Sequence, residues 1–283
     1  MNPIRVGVVG VGRGKSMIEY CLAAGDAQMV AICDKCEEGL RRQQEKHPEA
    51  QIAYYTDFEA FLQHDMDAVV LANYANEHAP LAIRAMRAGK HVLSETISNV
   101  TLADGVRLCR VKEETGMTYA YAENYCFMPA PYEMRKLYRE GKLGQFEYGE
   151  GEYFHNCEPI WEKITQGNPD HWRMNMSAMY YCTHSIGPLL HITGLRPVRV
   201  TGFESPLVGR NLRVGSKSGL FGIEMVELEN GGIVKSIHGG LYKNSIWYTL
   251  YGAKGRMETA REDAENGGFG RIYVNADDFD GAY

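Results

Sequence analysis

Two groups of residues in this 283-residue chain have the types and spacing for chemistry. The first is a glycine turn: residues 6–14 read V-G-V-V-G-V-G-R-G. Gly10 and Gly12 take the first two places of a G-x-G-x-x-G fingerprint. Glycine there allows a tight turn and brings the backbone close to a pyrophosphate at the next helix N-terminus. Lys15 stands at the third place, with Gly14 one position early. Asp34 follows Gly12 by 22 residues. A carboxylate at that point accepts hydrogen bonds from ribose hydroxyls and repels a 2′-phosphate, which favours NAD over NADP. Taken by itself, the motif also reads as a plain glycine turn of an α/β protein.

The second group is Tyr181 and His184. Three residues apart on a predicted helix, their side chains share one face. A histidine, with an ordinary pKa of about 6.5, suits proton transfer near neutrality. Spacing alone balances that role evenly against a buried structural histidine. His155, His191 and His238 have no ligand-spaced partners and read as structural or substrate-rim residues. Cys33 and Cys36 form a lone C-x-x-C among seven scattered cysteines. That pattern predicts free thiols in a reducing cytoplasm and neither a disulfide framework nor a metal site.

These residues need elements to hold them. In the first 122 residues, apolar strand-like runs (4–9, 29–33, 68–71, 91–94, 118–122) alternate with helix-like ones (16–24, 37–46, 57–63, 78–88). Thr56 is the expected cap of the helix at 57–63. Thr101 and Asp104 resemble a capping box opening a helix that stops near Gly116. Repeated βα units with continuous apolar strands predict a parallel sheet covered on both faces. After Tyr125 the rhythm changes. Pro129 and Pro131 lead into a helix at 132–139. A strand at 147–154, an irregular stretch at 156–176 and a helix at 179–192 follow. Strand-like runs then dominate (198–203, 221–228, 233–241, 246–251, 256–259, 272–274), with a hairpin signal at Gly231-Gly232. The expected architecture is an α/β Rossmann domain, 1–122, and an α+β domain with a largely antiparallel open sheet, 123–283.

Composition excludes several classes. With 45% hydrophobic and 23% charged residues, the chain is not of the disordered type. A net charge of −6 without a basic stripe argues against nucleic acid. No apolar run approaches the roughly 20 residues that span a bilayer. The N-terminus runs straight into a strand-like segment, so no signal peptide is expected.

Three further segments carry a resemblance: 72–78 (A-N-Y-A-N-E-H), 88–95 (A-G-K-H-V-L-S-E) and 137–144 (L-Y-R-E-G-K-L-G). With the glycine turn and Gly252-Ala-Lys-Gly255, they resemble the glucose–fructose oxidoreductase / inositol dehydrogenase / MocA family over nearly the whole chain. The resemblance implies a Rossmann domain and an open-sheet domain that often makes oligomer contacts. It also implies NAD(P)-dependent chemistry on sugars and polyols. Gly10, Gly12, Arg13, Gly14, Asp34, Asn73, His78, Glu95 and Asn124 are then the expected cofactor contacts. The family's usual Glu-Lys-Pro is Glu95-Thr96-Ile97 here, so the lysine that serves ordinary dehydrogenases as acid/base is missing.

That departure resembles the NAD-dependent glycosidases of glycoside hydrolase family 109. Local matches are Glu123-Asn124, Gly151-Glu-Tyr153-x-His155, Trp172-Arg173, Tyr181-x-Thr-His184-x-x-Gly187-Pro188, and Tyr242 shortly before the Gly252 turn. The resemblance implies an active site of Glu123, Tyr153, Arg173, Tyr181, His184 and Tyr242. In the redox route, NAD⁺ takes hydride from a ring carbon, C3, and the new ketone acidifies the C2 proton. A base removes that proton, and the C1 substituent leaves. Water then adds and the hydride returns. Tyr181 and His184 are assigned to one proton transfer and Tyr153 to the other. Arg173 is assigned to sugar hydroxyls or an enolate, Tyr242 to substrate, and Glu123 to the nicotinamide ribose or substrate.

Two other readings stand beside it. One is a net NAD-dependent dehydrogenase with His184 as base. The other is a non-catalytic NAD- or sugar-binding module. The expected partner is a small sugar or glycoside, with homo-oligomer contacts through the C-terminal sheet. The resemblance also predicts more chain after Gly255 than the 28 residues present, so a compact or C-terminally shortened variant is expected.

Overall fold

The computed structural model describes residues 2–207, 215–261, 270–277 and 279–282. Its chain divides into two compact units, Met1–Ala122 and Glu123–Tyr283.

The first unit alternates strands and helices: β1 (Ile4–Val9), α1 (Lys15–Ala23), β2 (Ala27–Cys33), α2 (Glu37–Lys46), β3 (Ala53–Tyr55) and α3 (Phe58–Leu62). Then come β4 (Ala68–Leu71), α4 (His78–Arg87), β5 (His91–Ser94), α5 (Leu102–Thr115) and β6 (Tyr119–Tyr121). The six strands are parallel in the order β3-β2-β1-β4-β5-β6. The winding reverses between β1 and β4, and ligands of such sheets bind at the strand carboxyl ends beside that point. Val8, Ile32, Val69 and Leu71 are fully buried, because helices cover both faces and each strand must be apolar on both sides. The cap of α3 is Asp57, whose carboxylate accepts from Ala60 N, and not Thr56. An aspartate reaches the third residue's free N–H as well as a threonine does. Thr101 caps α5 through Asp104 N, and Gly116 ends it in the left-handed conformation.

The second unit contains α6 (Pro129–Arg139), β7 (Phe146–Phe154), α7 (Trp161–Thr165), α8 (Thr183–Thr193), β8 (Pro197–Glu204), β9 (Phe221–Leu228) and β10 (Ile233–Gly239). It continues with β11 (Ser245–Gly252), β12 (Gly255–Thr259), β13 (Ile272–Ala276) and β14 (Phe279–Ala282). These form an eight-stranded sheet, β14-β13-β12-β11-β7-β10-β9-β8, antiparallel except where β7 runs parallel to β10. One face packs on α6 and α8 around Met134, Phe146, Leu189, Tyr248 and Leu250. Along β9 and β10 burial alternates with the period of two that a one-sided sheet requires.

Several expected boundaries move. Pro129 and Pro131 lie inside the first turn of α6, where a missing N–H costs nothing. The helix expected at 179–192 splits into a 3₁₀ turn, Ala178–Tyr181, and α8. The stretch at 156–176 holds α7 and two 3₁₀ turns. A further strand, β14, follows the last strand-like run expected, 272–274.

Candidate active site

The glycine turn lies between β1 and α1. Gly10 has φ +97°, and a β-carbon there would stand 2.5 Å from the Ala72 carbonyl oxygen. Gly14 would meet the Gly10 carbonyl at 2.3 Å and Val8 at 2.7 Å. It therefore performs the helix-to-strand packing expected of a third glycine one position later. Around Gly12 nothing lies within 4 Å, so that position borders open space. The first turn of α1 has neither a side-chain cap nor an acidic residue, and its free N–H groups suit a pyrophosphate.

Asp34 ends β2. Its two oxygens each accept one backbone N–H, from Val11 and Cys36, both at 2.8 Å. A carboxylate has about four acceptor positions, so it retains capacity for ribose hydroxyls. Asn73 gives its amide to Glu77 at 2.9 Å, while its buried Oδ1 has no partner. Arg13 donates to Glu95 at 2.7 Å. The orphaned Asn73 oxygen, the open cradle at Gly12 and the spare acceptors of Asp34 all fit a dinucleotide. His78 departs from its expected role as a cofactor contact. It is 1% exposed and hydrogen-bonds the Ile97 carbonyl at 2.8 Å, so it pins the loop after β5.

In the second unit, His184 enters at the start of α8. Its Nδ1 lies 2.8 Å from Glu123 Oε1, with both side chains nearly fully buried. A carboxylate only accepts, so Nδ1 carries a proton and Nε2 is the nitrogen left for other partners. Glu123 also accepts from Tyr125 N and, through Oε2, from the Thr183 hydroxyl at 2.7 Å. Both of its oxygens are engaged. Glu123 thus holds the imidazole as well as the start of the 3₁₀ turn Asn124–Phe127 and of α8. Three tyrosine rings surround His184, with centroids at 4.6 Å (Tyr153), 4.8 Å (Tyr125) and 5.5 Å (Tyr181). Burial pushes the Tyr153 phenol well above its ordinary pKa.

Local sequence explains how α8 comes so close. A β-carbon on Gly151 of β7 would stand 1.8 Å from the Ser185 carbonyl oxygen, and one on Gly187 would stand 3.0 Å from Glu123 Cγ. Only glycine at 151 lets the helix start lie on the strand. Pro188 sits inside α8 and has no N–H for the carbonyl four residues earlier, that of His184. The fully buried Tyr248 hydroxyl donates to that carbonyl at 2.6 Å instead. The Tyr-x-Thr-His-x-x-Gly-Pro run is thus a packing device as well as a chemical one.

A family model described as "Oxidoreductase family, NAD-binding Rossmann fold" matches residues 4–123. The chain belongs to the Gfo/Idh/MocA oxidoreductase family. It is 30% identical over 224 residues to a glycosyl hydrolase family 109 protein of Saccharopolyspora erythraea, covering 73% of this chain and 48% of that one. It is 26% identical over 228 residues to an alpha-N-acetylgalactosaminidase of Shewanella oneidensis, covering 75% and 50%. The chain spans about half the length of these curated relatives. In fold it is similar to the scyllo-inositol dehydrogenase of Lactobacillus casei solved with NAD(H) and scyllo-inositol. That match has a TM-score of 0.74 and 19% identity, covering 91% of this chain and 76% of that one. The first unit is therefore an NAD-binding Rossmann fold.

Of the expected site residues, the family fold brings together Glu123, Tyr153, Tyr181 and His184. Arg173 joins them: it donates to the Tyr181 hydroxyl at 3.3 Å, and its guanidinium lies 4.7 Å from the Trp172 ring centroid. Tyr181 reaches the cluster from the 3₁₀ turn and not from the same α-helix as His184. Tyr242 is on no strand. It lies in the loop between β10 and β11, 69% exposed, with the Lys243 ammonium 5.7 Å from its ring. Asn124 opens the 3₁₀ turn Asn124–Phe127, half-buried. Sequence reasoning missed Tyr125, Thr183 and Tyr248. The first stands two residues from Glu123, and the second lies inside the quoted motif. Among the described residues, no cluster of His, Cys, Asp or Glu could hold a metal ion, and no helix is long and apolar enough to cross a membrane.

The glycines give one test. Gly12→Val is expected to leave the melting temperature nearly unchanged while weakening NADH binding at least about tenfold in a fluorescence titration. Gly14→Val is expected to destabilise the unit itself. A Gly12 variant that binds NADH normally would move the pyrophosphate elsewhere.

Proposed function

We propose that this protein cleaves a glycoside by the redox-neutral route, through transient oxidation at C3 and elimination across C1 and C2. The observation that carries the reading is the buried Glu123–His184 pair ringed by Tyr125, Tyr153 and Tyr181, in a chain with Thr96 where the family's lysine would stand. When bound, NAD supplies reversible hydride acceptance. His184, oriented by Glu123, takes the proton of the hydroxyl being oxidised. Tyr153 serves the carbon acid next to the ketone. Arg173 presents donors to the enolate oxygen or the sugar hydroxyls. The relative named alpha-N-acetylgalactosaminidase makes an N-acetyl-α-galactosaminide the first substrate to test.

A second reading, net oxidation of a sugar or polyol with His184 as base, is favoured by the fold likeness to scyllo-inositol dehydrogenase. Incubation with p-nitrophenyl N-acetyl-α-galactosaminide separates the two. Nitrophenol release without a net rise in NADH absorbance supports glycoside cleavage. Stoichiometric NADH from the free sugar or an inositol, with no cleavage, selects the dehydrogenase.

We also propose a homo-oligomer formed through the sheet face turned away from α8. That face exposes Phe203, Met225 and Tyr251 (76%, 43% and 40%). A cytoplasmic setting is proposed on the seven free cysteines.

A further inference from the structure

We propose that His155 is the proton-relay partner of Tyr153, giving the second unit two proton-transfer stations, Glu123–His184 and Tyr153–His155. The inference rests on the catalytic reading above and names a group that reading leaves out. His155 follows β7, and its Nδ1 lies 3.3 Å from the Tyr153 hydroxyl and 3.6 Å from Cys157 Sγ. Burial raises the pKa of both the phenol and the thiol, so both are protonated donors near neutrality. A hydroxyl and a thiol converge on this nitrogen, and the relay uses the tautomer in which Nδ1 accepts and Nε2 carries the imidazole proton. Burial, with the nearby His184, holds His155 below its ordinary pKa, so the ring is neutral and able to accept. It is half-buried and can release a proton from Nε2. The titratable groups facing this station are Tyr125, Tyr181, Cys157 and His184, with Arg173 acting on the Cys157 thiol.

The need for such a partner is chemical. A phenol with a raised pKa is a poor base alone, because its oxygen must lose one proton to take another. Here the Tyr153 oxygen takes the proton from the carbon beside the ketone while its own proton moves to His155 Nδ1. The C–H electron pair becomes the new C=C bond, and the C1–O pair leaves with the departing oxygen. The imidazolium then returns to neutral by giving up its Nε2 proton. Tyr153 touches substrate in this scheme; His155 acts through it.

The test uses the NAD-loaded full chain with p-nitrophenyl N-acetyl-α-galactosaminide. His155→Ala is expected to lower kcat about 100-fold with KM and bound NAD unchanged. It should remove one limb of the pH profile, and added imidazole should restore part of the rate. The Tyr153→Phe/His155→Ala double variant should be no slower than Tyr153→Phe. A rate within about twofold of the parent, or a loss that is independent of pH and not rescued by imidazole, overturns the proposal. If the protein instead oxidises a free sugar, glycoside cleavage fails and no carbon acid is deprotonated, so ¹⁵N-histidine spectra judge His155. With neither activity, the same spectra decide. An unprotonated His155 Nδ1 whose resonance moves in Tyr153→Phe supports the relay, and a protonated Nδ1 overturns it.

Discussion

Replacing His184 by asparagine is expected to lower kcat about 1,000-fold, inside the range for a well-placed acid or base, while bound NAD and the melting temperature stay near the parent values. The imidazole Nδ1 is committed to Glu123 at 2.8 Å, so Nε2 is its working atom, and asparagine supplies no base there. Glu123→Gln should cost about 100-fold. The amide keeps an acceptor but loses the charge that stabilises the imidazolium, and it can also present an N–H that selects the wrong tautomer. Because the two side chains act as one unit, the double variant should be about as slow as His184→Asn alone. Initial rates with NAD content measured on the same samples decide it. An active His184→Asn protein would remove this residue from the chemistry.

The second large effect is on stability. Beneath α8, Ser185 Oγ lies 2.8 Å from Ser236 Oγ and 3.3 Å from His238 Nδ1, and Glu224 Oε2 lies 3.5 Å from the same nitrogen. All four residues are buried. Burial pushes the Glu224 carboxyl up to about 7 from 4.5 and His238 down to about 4 from 6.5, so both are neutral around pH 5 to 6. Cys182 alongside is also protonated, its thiol pushed up by burial to about 12. Between pH 4.5 and 7 the native state holds the Glu224 proton that the unfolded chain has lost, so this group lowers stability as pH rises. Between pH 4 and 6.5 the unfolded chain holds a His238 proton that the native state lacks, so this group raises stability with pH.

The two contributions oppose each other, leaving little net slope from this pair. Glu224→Gln should expose a rise with pH, and His238→Gln a fall, each on the order of 3 kcal/mol across its window. Denaturant unfolding at a series of pH values measures this. Parallel curves for parent and variants would mean that the pair does not titrate as described.

The first unit was legible because parallel strands buried on both faces write themselves as short apolar runs, and Gly10, Gly14 and Asp34 act through local backbone geometry. The second unit was less so. The Glu123–His184 bond spans 61 residues, and no local spacing in the sequence announces it. The change from 3₁₀ to α-helix at Cys182 leaves no punctuation, and Tyr181 was therefore read onto α8. The expected strand at 233–241 runs to the residue before Tyr242 because apolar character continues past Gly239. The strand ends there, where a β-carbon would meet the Leu220 carbonyl at 2.2 Å. His155 lacked a ligand-spaced partner, and only the folded turn shows a hydroxyl and a thiol meeting at its Nδ1.

The most direct test of the account is cleavage of an N-acetyl-α-galactosaminide in D₂O by the NAD-loaded protein, with the released sugar read by NMR. The account predicts deuterium at C2, because that carbon loses its proton and regains one from solvent, and no net NADH. Sugar released with its C2 proton intact would contradict it.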